Sequence, residues 1–287
     1  MSINEIRQKR ATYLSKAWRR FIRNRIVLFG LSVVIILFLL AITAPIVSPY
    51  PPKQPHYKQI YNAPSGKFLF GTDELGRDVF SRIIWGSRSS LQVGIFAVAI
   101  SSIIGILLGT TSGFYGGKVD TIIMRFTDMI MTIPSIFFAI ICVSIFNIKG
   151  LGIIIAVIGL LGWPSMARVV RSEVLSLKER AYVEASKAMG ERGIVIVVKD
   201  ILPNILTPII IMATMRMGQA ILIESSLSFL GLGDPDVITW GRMLVHGKNV
   251  LNVAWWIAAY PGIAIFMTVL GFNLLGDGLR DALDVRL

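Results

Sequence analysis

The chain has 287 residues, 54% of them hydrophobic and 16% charged, with a mean hydropathy of +0.68; these values exclude an ordinary soluble domain and describe a polytopic membrane protein. Its formal charge of +12 does not mark a nucleic-acid binder, because the basic residues gather at the ends of apolar runs and near the N-terminus, where membrane topology accounts for them.

In residues 1–25 the basic side chains from Arg7 to Arg25 face a lone acid, Glu5, which predicts that this end stays in the cytoplasm. Residues 26–47 form an apolar run of the length needed to cross a hydrocarbon core of about 30 Å. It exceeds the roughly 7–15-residue apolar core of a signal peptide, so a retained first helix is predicted. Ser48-Pro49-Tyr50-Pro51-Pro52 stops that helix, since consecutive prolines lack N–H donors and restrict their neighbours. Residues 53–90 read as an external segment whose second half, through Trp85, alternates charge with bulky apolar residues, as in a helix lying in the interface.

A second span is expected at 91–110, with Gly105 and Gly109 as a small face that lets another helix approach. After a turn at 113–117, a third span covers 121–146, kinked at Pro134, with Arg125 and Asp128 neutralising each other three residues apart. The fourth span, 151–166, is predicted to break near its inner end at Gly159, Gly162 and Pro164. Arg168, Arg171, Lys178 and Arg180 then mark a cytoplasmic loop over 167–203. A fifth span is expected at 204–223 and a sixth at 254–275, with Trp255 and Trp256 anchoring its outer end. About six spans return the C-terminus to the cytoplasm. The expected organisation is thus a basic segment (1–25), a first helix with its external segment (26–90), and a core domain (91–287).

Within the cytoplasmic loop, Ser176-Leu177-Lys178-Glu179 reads as a capping box, predicting a helix from Leu177 that Gly190 closes in a left-handed conformation, roughly 20 Å long. Tyr182, Val183, Ala185 and Met189 supply its apolar side; Arg180, Glu184, Lys187 and Glu191 keep it wet. Such a helix suits a partner's groove. The run Glu184-Ala185-Ser186, Gly190, Leu202-Pro203 also resembles the signature loop of ABC importer permeases: Glu-Ala-Ala, three residues, Gly, nine residues, Ile, one residue, Leu-Pro. Two positions depart: Ser186 stands for the second Ala, and Asp200 for the Ile.

Further stretches carry the same resemblance. The run from Phe70 to Arg82 is similar to the corresponding segment of the C-type permease of dipeptide and oligopeptide importers, as is Glu224 to Gly233 with Asp234-Pro235-Asp236. The tail from Gly276 to Arg286 matches too, with Val285 where the family has Pro. The resemblance covers about residues 70–286. It implies an all-α type I transmembrane domain of an ABC importer in a bacterial or archaeal plasma membrane. It also implies a homologous second permease, one or two ATP-binding subunits docked on the signature loop, and an external substrate-binding protein. Family substrates are dipeptides, oligopeptides, glutathione and nickel or metal chelates, with peptide the commonest.

The chemistry of the chain agrees with a non-catalytic role. Gly116-Gly117-Lys118 is followed by Val119 and lacks the leading glycine of a phosphate loop, so ATP must bind elsewhere. One cysteine, Cys142, and two histidines, His56 and His246, predict no disulfide, metal or cofactor site. An ion-coupled secondary transporter would need charges at the midplane, and an intramembrane hydrolase a nucleophile with a base. Two candidate regions remain. Arg216 lies near the middle of the fifth span, where lipid exposure would cost at least about 2.5–3.5 kcal/mol. With Gln219 on its face, it is a candidate for the translocation path or for a pairing with the partner permease. Glu224, Ser228, Gly231, Gly233 and Asp236 are candidates for an external gate.

Overall fold

The computed structural model describes residues 19–146 and 150–283; the basic residues before Arg19 and the tail residues Asp284, Val285 and Arg286 lie outside the described residues. The elements are α1 (Arg25–Val47), α2 (Val79–Tyr115), α3 (Gly117–Thr132), α4 (Ser135–Phe146), α5 (Leu151–Leu177), α6 (Ala181–Ala188), α7 (Gly193–Ile196), a π turn (Val197–Ile201), α8 (Leu202–Phe229), α9 (Trp240–Lys248) and α10 (Trp256–Leu283). Among the described residues, five apolar stretches are long enough to cross a membrane: α1, α2, α5, the run from α7 through α8, and α10. The pair α3 and α4 makes a sixth only as a span bent by 85°.

The seam between α2 and α5 organises the bundle. A Cβ on Gly105 would lie 2.6 Å from the Met166 Cβ, and one on Gly109 only 2.5 Å from the Ala167 carbonyl oxygen. The glycine spacing expected to admit a helix does so. The partner returns the favour: Gly159 and Gly162 receive Ile100 and Ser101 of α2. These two glycines therefore do not break the fourth span. With Pro164 inside it, α5 runs unbroken for 27 residues, because close backbone contact along the seam holds it helical. The other long helices wrap this pair, with α8 against α2 and α5, and α10 between α8 and α1.

Several boundaries differ from expectation. The helix predicted to lie in the interface is instead the first turns of α2, which at 37 residues is about 55 Å long. It starts where the Asp78 carboxylate accepts from the Ser81 backbone N–H (2.8 Å) and the Ser81 hydroxyl (2.6 Å), a strong N-cap. At Pro134 the third span breaks rather than kinks: the proline forces Ile133 into an extended conformation (φ −92°, ψ 126°), and α4 restarts beyond it. Arg125 and Asp128 do not pair. Since α3 lies beside the end of α5, Asp128 meets Arg168 (2.6 Å), and Asp120 takes Arg171 in a bidentate pair (2.5 Å). The last span also runs longer, to Leu283. Trp255 is exposed, but Trp256 is not an interfacial anchor: it is buried, and its indole N–H donates to the Thr72 carbonyl.

Candidate functional site

The signature loop folds into a shorter helix than its sequence suggests. Ser176 is not a cap but lies in the last turn of α5, which is carried past it by Val170 and Val174 packing on Gly109 and Gly113. The Lys178 ammonium then closes that end by donating to the Gly113 carbonyl (3.2 Å). α6 begins only after Arg180, which is extended (φ −77°, ψ 141°), so it spans eight residues, about 12 Å. Its apolar residues divide between two faces. Val183 and Ser186 are buried against the bundle, whereas Tyr182, Glu184, Ala185 and Met189 point outward. Gly190 has φ +76°; its N–H bonds the Lys187 carbonyl and the Glu191 N–H bonds the Ser186 carbonyl, a complete Schellman closure. Leu202 and Pro203 open α8. Pro203 has no N–H for the Lys199 carbonyl, and the Asn204 side-chain amide takes the Asp200 carbonyl (2.6 Å); the chain widens there into the π turn.

Halfway along the bundle, Arg216 and Gln219 line one cavity of about 240 Å³. It sits where the α3–α4 break leaves room beside α2, α5 and α8, and Ser101, Ser135 and Ser165 also line it. The Arg216 Nε is buried without a hydrogen-bond partner among the described residues, and no acidic side chain lines the cavity. A Cβ on Gly162 would lie 3.1 Å from the Arg216 Nη1, so the glycine makes room for the guanidinium. The three serines escaped the sequence reading because isolated serines in apolar runs look like ordinary interhelical contacts; the only signal was Pro134, which opens the space.

At the opposite end, Glu224 and Ser228 are not outside the fifth span. α8 continues to Phe229, and both residues are buried in its last turns. The Glu224 carboxylate accepts from the Ser228 hydroxyl (2.6 Å) and the Ser225 hydroxyl (3.4 Å). The helix extends this far because α9, which the sequence reading missed, folds back across it, with Gly241 directly against the Ser225 backbone. Gly231 has φ +85°, and Gly233 abuts Ser228. Asp234 is the structural centre of the following turn: its carboxylate accepts from the Leu151 N–H (3.0 Å) and the Asp236 N–H (2.9 Å), while Asp236 itself is exposed. Glu224, Ser228 and Gly233 thus meet; Asp236 stands apart.

The segment between α1 and α2 locks onto the same end. Buried Asp73 accepts from the Leu75 and Arg77 N–H groups and from the Arg77 Nε (2.6 Å), with the Arg82 Nε at 3.5 Å. Glu74 joins Arg77 (2.7 Å) to His246 of α9 (3.1 Å). Burial pushes the His246 imidazole below its usual value, Glu74 opposes that shift, and the Arg82, Arg77 and Arg242 cations reinforce it.

Comparison with known proteins agrees with this architecture. Residues 101–287 match the family described as binding-protein-dependent transport system inner membrane component, and residues 12–64 match the N-terminal TM domain of oligopeptide transport permease C. The chain is 38% identical over 286 residues to the dipeptide transport system permease protein DppC of Bacillus subtilis, covering 99% of this chain and 89% of that one. It is 40% identical over 272 residues to the glutathione transport system permease protein GsiD of Pectobacterium atrosepticum, covering 94% and 90%. A chain of the MetNI methionine ABC transporter in an inward-facing conformation shares the fold, with a TM-score of 0.59 at 18% identity over 71% of this chain and 97% of that one. The chain therefore belongs to the binding-protein-dependent transport system inner membrane component family, as a C-type, multi-pass, non-catalytic permease subunit of an ABC importer whose ATP hydrolysis, second permease and substrate capture are supplied by partner proteins.

Proposed function

We propose that the chain forms half of the translocation pore of a peptide importer, paired with a homologous but distinct permease, with both termini cytoplasmic and α6 docked into an ATP-binding subunit. The observation that carries this reading is the outward face of α6: Tyr182, Ala185 and Met189 are exposed apolar residues beside Glu184, on a helix whose end is fixed by Gly190. An amphipathic helix offering such a face fits a groove in a partner. Glu184, Ala185, Ser186, Gly190, Leu202 and Pro203 form the coupling element. Residues 26–90 are an appended helix and outer segment, and 91–287 the permease core. Glu184→Lys should reduce co-purification of the ATP-binding subunits and uptake together; normal assembly and uptake in this variant would overturn the docking role.

Peptide as substrate is supported by the names of the dipeptide permease relatives. Glutathione is the second reading, supported by relatives of that name; Arg216, whose Nε has no partner among the described residues, offers a carboxylate of either substrate a cation in the cavity. In both readings Arg216 and Gln219 line the path, and Glu224, Ser228, Gly231, Gly233 and Asp236 form an outer gate. Arg216→Met keeps apolar bulk and removes the charge. In the assembled importer it should slow carboxylate-bearing substrates relative to carboxyl-blocked ones; unchanged relative rates would leave Arg216 a subunit-pairing residue.

A further inference from the structure

The two positions at which the loop departs from the permease signature meet in the structure. Ser186 Oγ donates to Asp200 Oδ2 at 2.8 Å, across 14 residues of chain. Ser186 is 7% exposed, and its surroundings are apolar: Val183, Ile196 and Ile201 are fully or almost fully buried. It is a part-buried polar link between α6 and the base of α8. The nearby Lys199–Glu191 pair (3.3 Å) lies on the exposed rim, where an ion pair contributes little. Asp200 belongs to the π turn that leads directly into α8, the helix bearing Arg216, Gln219 and Glu224.

We propose that Ser186 and Asp200 are positioning residues that latch the docking helix to α8, so that displacement of α6 is delivered at the π turn. The proposal rests on the docking role of α6. An apolar pair at these two positions would join the same elements by non-directional contact. A hydrogen bond to a carboxylate is directional and stronger than a neutral one. It acts, moreover, on a wide turn, a form of helix that is rare and frequent at functional sites. The latch therefore exchanges a non-directional contact for a directional one at the point where the span is least regular.

The test uses the whole importer in lipid vesicles, with Cys142→Ala and a spin label at Leu222, which is exposed on α8. The readouts are co-purification of the ATP-binding subunits, ATP hydrolysis, and the change in label spectrum produced by ATP with vanadate. Ser186→Ala should keep assembly while reducing the nucleotide-induced change at least about fivefold, the shift expected for losing one hydrogen bond to a carboxylate. Asp200→Ile alone should act likewise, and Asp200→Asn, which still accepts from the hydroxyl, should stay close to the parent. The double variant Ser186→Ala/Asp200→Ile, which restores the signature pair, should recover the change. A full change in both single variants, or a double variant no better than either, overturns the latch. Glu184→Lys separates the two readings: lost assembly there beside an unaffected Ser186→Ala sinks the latch alone, whereas retained assembly sinks the docking role and the latch with it.

Discussion

At the end bearing α9, the segment before α2 is held by a web of bonds converging on the buried Asp73 carboxylate, with Glu74 and His246 extending it to α9. At the end bearing α6, the loop meets the bundle through apolar packing, the Ser186–Asp200 bond and helix-end closures. The difference is one of redundancy. A region closed by several bonds to one charge yields only when all of them break, and it serves as a frame. A joint held mostly by apolar packing, with few and separate directional bonds, can turn, and it can serve as a lever.

Breaking the frame should have the largest effect. Asp73→Ala strands the buried Arg82 cation and frees the Leu75 and Arg77 N–H groups, which should cost about 3–5 kcal/mol. A large fall in the thermal stability of the purified importer would show it. Next comes the seam that joins both ends. Gly109→Leu forces a side chain against the Ala167 carbonyl and should cost about 1–3 kcal/mol, whereas Gly152→Ala, with open space around it, should be neutral or slightly stabilising. Yield of folded protein measures both.

At the lever, Gly190→Val places a β-branched residue at φ +76°, a strain of about 1–2 kcal/mol confined to the loop. Thermal stability should barely move while uptake falls; a loss of stability as large as that of Asp73→Ala would erase the contrast between the two ends. The smallest effect is one of pH. The His246 imidazole is depressed in the folded protein, so the unfolded chain binds the proton more readily. Stability is therefore complete above the unfolded value of 6.5 and declines as the pH falls below it towards the folded value. Stability curves between pH 7.5 and pH 5, roughly the range in which histidine changes charge, should slope less in His246→Gln.

How far the sequence was legible depended on the range of the forces involved. The spans, the Gly105 and Gly109 face and the turn at Gly190 could be read because each follows from spacing or from one residue's own conformation. Ser176 and Glu179 misled because a local capping signal lost to a seam formed with residues some sixty positions earlier. Asp128 found Arg168 across the bundle rather than Arg125 on its own helix. Glu224 was misplaced for a related reason, since what buries it is α9, a short helix packed back over the end of α8. That Arg216 and Gln219 share a helix face needed only helical periodicity and was readable; the cavity that they line with Ser135 needed the size of the break at Pro134, which no local rule supplies.

The glycine seam also has a consequence for how the protein is made. Gly113 leaves the ribosome well before its partner Val174, and at roughly 5–20 residues per second the interval between them lasts about 3–12 s. Throughout it, the groove that Gly105, Gly109 and Gly113 leave along α2 lacks its partner helix, and α3 and α4 are made before that partner. Whatever fills that groove during synthesis must leave again when α5 arrives, so the step that commits this permease to its fold is the late docking of α5 rather than the entry of any single span.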